Sequence, residues 1–197
     1  MDDTFGQRLL RLQARICDQP LLLEGDENTL LRALRNILRR ASDERLLRNP
    51  PHEVFSLVKR TALPPDAAAI RGAVAIAGGE KNQHRSRDKK HFERADGAWF
   101  DFTITVARAD GPALELLAYD FELRLPDGLQ PPPWLRFDLN LPGHDNEEDG
   151  LRSHLHPGND DLQAPAPLMY PLELLDLFIH GFHGRSKPRR KGKEAGV

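Results

Sequence analysis

From Trp99 onward the chain alternates apolar and polar residues with period two, and this limits its fold more than any other feature. Phe100, Phe102, Ile104 and Val106 are interleaved with Asp101, Thr103 and Thr105. After an Asp110-Gly111-Pro112 turn, Leu117, Tyr119, Phe121, Leu123 and Leu125 alternate again. Successive side chains on a strand point to opposite faces, so each run carries one apolar and one polar face. A short turn between two such runs sets them side by side as an antiparallel pair. Asp127-Gly128 turns the chain once more, Pro131-Pro132-Pro133 delays the next strand until Trp134, and a short fourth strand is expected around Arg152 to His156. The expectation is an antiparallel β-meander of three to four strands. Pro171 suits the first turn of a helix. Leu172, Leu175, Leu177, Phe178 and Ile179 then supply an apolar face that backs the sheet.

The first part of the chain reads as helical. Phe5, Leu9, Leu12 and Ile16 recur at helical spacing, and Asp26 is a good N-cap for a helix whose face is Leu30, Leu31, Leu34, Ile37 and Leu38. A short third helix runs through Val54, Phe55 and Val58. Residues 67–79, AAAIRGAVAIAGG, fit either a small-residue helix or a buried strand. The predicted fold class is therefore α+β. It has an N-terminal helical region (1–80), a basic connector (81–97), a sheet with its helix (98–183) and a basic, disordered tail (184–197).

Composition excludes some classes. At 197 residues with 39% hydrophobic and 29% charged residues, the chain can bury a core yet is polar throughout. Its net charge of −2 gives no global preference for nucleic acid or membrane. The single cysteine, Cys17, rules out an intrachain disulfide and a Cys-rich zinc site. No apolar run reaches the roughly 18–20 residues that span a bilayer, and MDDTFGQRLLR is not a secretion signal. The expectation is a cytoplasmic protein with no membrane partner.

Residues 134–161, WLRFDLNLPGHDNEEDGLRSHLHPGNDD, hold more polar chemistry than a connection needs. On a strand His154 and His156 share a face, with Leu155 pointing the other way, and Asp138 and Asn140 stand in the same relation one strand earlier. Three readings fit these residues. In a metal-free ribonuclease, His154 and His156 act as acid and base, Asp138 orients one ring, and Arg136 or Arg152 stabilises the charged phosphorane; no cofactor is needed. In a metal site, His154 and His156 are joined by His144 or Asp138. In the third reading Arg136/Asp138 and Arg152/Asp160 are structural ion pairs, the histidines cap a strand end, and the chain is a non-catalytic binding or regulatory module.

Two basic stretches bear on partners. Lys81, Arg85, Arg87, Lys89, Lys90 and Arg94 can track a phosphate backbone, as can the tail from Arg185 to Lys193, or both can simply keep exposed segments soluble.

The order Arg136-Phe137-Asp138-Leu139-Asn140, then His144, then Arg152 with His154-Leu155-His156, then an apolar helix, resembles the TumE-type toxin family of bacterial toxin–antitoxin pairs. The resemblance covers roughly residues 98–180. It implies a small α+β ribonuclease toxin acting on RNA, with a cognate antitoxin as partner. It places Arg136, Asp138, His154 and His156 in the site, with Asn140 beside them. Here Asn140 lies two residues after Asp138, and Leu155 stands where the family has a lysine.

Overall fold

The computed structural model describes residues 20–82, 84–126 and 133–182. The expected first helix, Cys17, the Asp127-Gly128 turn and the basic tail lie outside the described residues. The elements are β1 (Leu22–Glu24), α1 (Glu27–Asp43), α2 (Pro51–Leu57), β2 (Val58–Thr61), β3 (Ala73–Gly78), β4 (Phe92–Glu93), β5 (Trp99–Arg108), β6 (Ala113–Arg124), β7 (Trp134–Leu139), β8 (Ser153–His156), β9 (Ala164–Pro165) and α3 (Pro171–Asp176), which runs on into a π-helical turn, Leu177–Gly181.

The strands form one sheet, and every pairing in it is antiparallel. Among the described residues it has nine strands in the order β2-β3-β5-β6-β7-β8-β9, with β1 added to β6 and β4 added to β5. This corrects the expected three- to four-stranded meander preceded by a helical region. The β5–β6–β7–β8 succession is present, but it is the middle of a larger sheet fed by residues from both ends of the chain. The reason is physical. The added strands are two to six residues long, too short or too uniformly apolar to show period two. Residues 22–24 and 73–78 also find their partners far away in sequence, so long-range pairing determines those strands. Residues 67–79 settle the same way. Ala73–Gly78 is a strand because β2 and β5 take up its two edges. Gly78 is required there, because an added Cβ would lie 2.2 Å from the ring of Phe102.

Helix α1 starts where the spacing predicts, with the Asp26 carboxylate accepting from the Thr29 amide at 2.8 Å. It buries Leu30, Leu34, Leu38 and Ala41. On its other side Arg35 donates to the Val58 carbonyl at 2.7 Å, tying α1 to the start of β2. The helices share one core with the apolar face of the sheet. Phe178, fully buried, meets Phe100 and Phe121 edge-on at 5.8 and 5.9 Å. Arg94, 4% exposed, donates to the Phe178 carbonyl at 2.6 Å and also to that of Phe182. Among the described residues no helix is long and apolar enough to cross a membrane.

Candidate metal centre

With one face of the sheet under the helices, the other carries the charged partners of the alternation. Cross-strand pairing sets Thr103, Asp120, Asp138 and His154 in one row and Asp101, Glu122, Arg136 and His156 in the next. Residues directly opposed on neighbouring strands have Cβ atoms about 4.5–5.5 Å apart, so these ionisable groups adjoin. Asp101, Asp120, Glu122, Arg136 and Asp138 line an open cleft of about 1200 Å³.

Crowding on this face shifts its protonation. Burial, reinforced by the neighbouring Asp138 charge, pushes Asp120 up to about 7. Burial raises Asp101 to about 6, opposed by its ion pair with Arg124. Burial also holds the His154 imidazole below its ordinary value, so the ring favours its neutral form.

The two histidines sit at the end of the rows and are 2% exposed. His154 Nδ1 lies 2.8 Å from the Leu151 carbonyl, and His156 Nδ1 lies 3.4 Å from that of Asn159. A carbonyl only accepts, so the hydrogen of the neutral His154 ring belongs on Nδ1 and its Nε2 lone pair turns inward; the longer His156 contact is compatible with the same tautomer. The two Nε2 atoms are 3.1 Å apart, and Asp138 Oδ2 lies 3.2 Å from His156 Nε2 and 3.5 Å from His154 Nε2. With both Nδ1 atoms protonated, two lone pairs at that distance repel and call for a cation between them, a second proton on one ring or a metal ion. A hydrogen moved to His156 Nε2 would instead donate to His154 Nε2 or Asp138 Oδ2. Ligand atoms about 2.0–2.1 Å from a tetrahedral zinc stand roughly 3.3–3.4 Å apart, close to these three separations. Asp138 Oδ2 also accepts from Arg136 Nε at 2.9 Å, while Asp138 Oδ1 is buried with no hydrogen-bond partner. Asp138, His154 and His156 form a group that can hold a metal ion.

The structure thus joins Arg136, Asp138, His154 and His156. His144 stands apart on a loop, exposed, with Nδ1 2.8 Å from Asn146 Oδ1; Asn140 also bonds Asn146. Arg152 is buried and donates to the Asn140 carbonyl at 3.3 Å. The basic segment does not run free over the surface. Lys81, Lys89 and Lys90 are exposed. Arg87 is within 3.7 Å of Glu93, Arg94 holds the end of the last helix, and Arg85 reaches across the polar face to Glu122 at 2.8 Å. Sequence reasoning passed over Asp101, Asp120 and Glu122, although each occupies a polar slot of the alternation it had identified. A charge at such a slot on a central strand is itself a signal of a polar site.

Comparison of the chain with protein-family models, with curated proteins and with solved structures finds no match.

Proposed function

We propose that this protein is a metal-dependent hydrolase of the ribonuclease type, with a divalent transition ion held by Asp138, His154 and His156. One observation carries the reading: two imidazoles, each with Nδ1 against a backbone carbonyl, bring their Nε2 atoms to 3.5 and 3.2 Å from a single carboxylate oxygen, Asp138 Oδ2. Imidazole and carboxylate together suit zinc, manganese or iron. Such an ion would polarise a phosphoryl oxygen and supply an activated water. Arg136, fixed by Asp138, adds a permanent positive charge beside the centre. The cleft is rich in carboxylates, so a nucleic-acid backbone needs a cation there to approach. The resemblance to TumE-type toxins supports RNA as the substrate, because the four residues it implies are the four that meet. A cognate antitoxin and a cytoplasmic location belong to the same proposal.

A second reading uses the 3.1 Å contact differently. One proton shared between the Nε2 atoms makes an imidazole–imidazolium pair able to act as acid and base without metal. The two readings separate in one experiment. Purified protein is incubated with a pool of labelled RNAs and zinc or manganese, with and without EDTA, beside the His154→Ala/His156→Ala double variant. Cleavage lost in EDTA and in the variant is the expected result. Cleavage that survives EDTA favours the shared proton, and no cleavage by folded, metal-loaded protein refutes the ribonuclease.

A further inference from the structure

Asp160 sits on a loop, with its side chain 54% exposed, yet two arginines hold its carboxylate. Arg85 Nη1 donates to Oδ2 at 3.1 Å and Nη2 to Oδ1 at 2.8 Å, while Arg136 Nη1 donates to Oδ1 at 2.6 Å. Neither arginine is free to swing. The other edge of Arg85 grips Glu122 at 2.8 and 3.2 Å, and its guanidinium lies 3.6 Å over the Trp134 ring. Arg136 is held from behind by Asp138. Arg85 also takes a positive φ of 52°, in the left-handed region that non-glycine residues adopt uncommonly. Two guanidiniums, 23% and 19% exposed, are thus fixed so that their remaining donors meet at one point. The occupant of that point comes from the exposed stretch 159–163.

We propose that Arg85 and Arg136 form a cradle for a phosphodiester monoanion, and that Asp160 is a built-in occupant the ligand displaces. The donors present the edge-on fork that matches a phosphate or carboxylate in two-point contact. A phosphodiester carries one negative charge, as the Asp160 carboxylate does, so the exchange leaves the local charge unchanged. A dianionic monoester would add a charge beside Glu122 and Asp138. Arg136 bonds both Asp138 and Asp160, so a diester in the cradle lies one guanidinium away from the histidines. The loop that yields also carries the Asn159 carbonyl on which His156 Nδ1 leans, so ligand entry reaches the centre through that contact. The cradle names the substrate class of the proposed centre and rests on that reading for its part in turnover. Its binding step does not depend on it.

The test is calorimetric titration of dimethyl phosphate into EDTA-treated full-length protein, as wild type, Asp160→Asn, and Asp160→Asn with Arg85→Lys. Removing the tethered competitor should tighten binding roughly tenfold or more. Lysine lacks the fork, so the double variant should lose that gain. Equal affinity in wild type and Asp160→Asn overturns the cradle, and so does a gain that survives Arg85→Lys. A second measurement needs no variant. Saturating dimethyl phosphate should speed amide exchange at residues 158–162 of the wild type, and unchanged exchange there overturns displacement. RNA cleavage is scored separately: cradle binding without cleavage sinks the hydrolase alone, and cleavage without a cradle effect sinks the cradle alone.

Discussion

Removing the Asp138 carboxylate should uncouple the thermal stability of this protein from divalent metal. An ion bound only by the folded state stabilises it by about 2.7 kcal/mol at a free concentration one hundred times its dissociation constant. In a chain of this size each kcal/mol moves Tm by roughly 2–4 °C, so zinc should raise the wild-type Tm by about 5–10 °C. Asp138→Asn keeps the shape of the side chain but removes one of three converging ligands. It also takes from Arg136 the carboxylate that accepts at 2.9 Å, a charge-assisted bond worth about 1.5–3 kcal/mol. The metal-free variant will therefore melt lower from the outset, and the informative quantity is the increment on adding zinc. That increment should fall below about 2 °C, less than the effect of a single kcal/mol. The assay is differential scanning fluorimetry of EDTA-stripped protein at pH 7.5, with His154→Ala run alongside. Equal zinc increments in all three proteins would mean that zinc binds elsewhere, for instance at the exposed His52 or His84. No increment in the wild type would mean that the imidazole contact is a hydrogen bond and nothing more.

Two other outcomes follow from the packing and the charges. Asp120 titrates near 7 when folded, above its ordinary 3.8, so its protonated form contributes fully below about pH 4 and that contribution is lost as pH rises through 7. Asp120→Asn should thus match the wild type near pH 4 and exceed it in urea stability at pH 8.5; a wild-type advantage that grows with pH would contradict this. Phe178→Ala should cost about 3–5 kcal/mol in urea unfolding, because the ring is fully buried among Phe100, Phe121 and Phe137. A loss under about 1 kcal/mol would show that the last helix is not part of the core.

The legible parts of this molecule are those whose cause is local. Asp26 and the Leu30–Leu34–Leu38 face announce a helix within one stretch of chain. The alternation through β5 and β6 announces a hairpin, and its phase already assigns Phe102 and Phe121 to one face and Asp101 and Glu122 to the other. The convergence of Asp138, His154 and His156 was half visible. The spacing of the histidines put them on one face, but only the register Asp138↔His154 and Arg136↔His156 selects Asp138 over His144 as the third member. The rest depended on contacts between distant segments. Nothing near Val58 or Ala73 specifies a strand except the partners they find. Nothing in the sequence marks Arg85 out among the cations of its segment, and only its pairing with Glu122 and Asp160 separates an internal clamp from a solvated charge.

The two ends of the sheet bear on how this protein behaves in company. An open edge strand offers a row of unpaired backbone donors and acceptors to any other chain, and long, flat, apolar edges invite aggregation. Here one outer strand is two residues long and contains Pro165, which has no amide hydrogen to offer. The other carries Lys59 and Arg60, both exposed. Among the described residues neither of these two rims is a good template, and replacing Lys59 and Arg60 with valine would turn one of them into an aggregation seed.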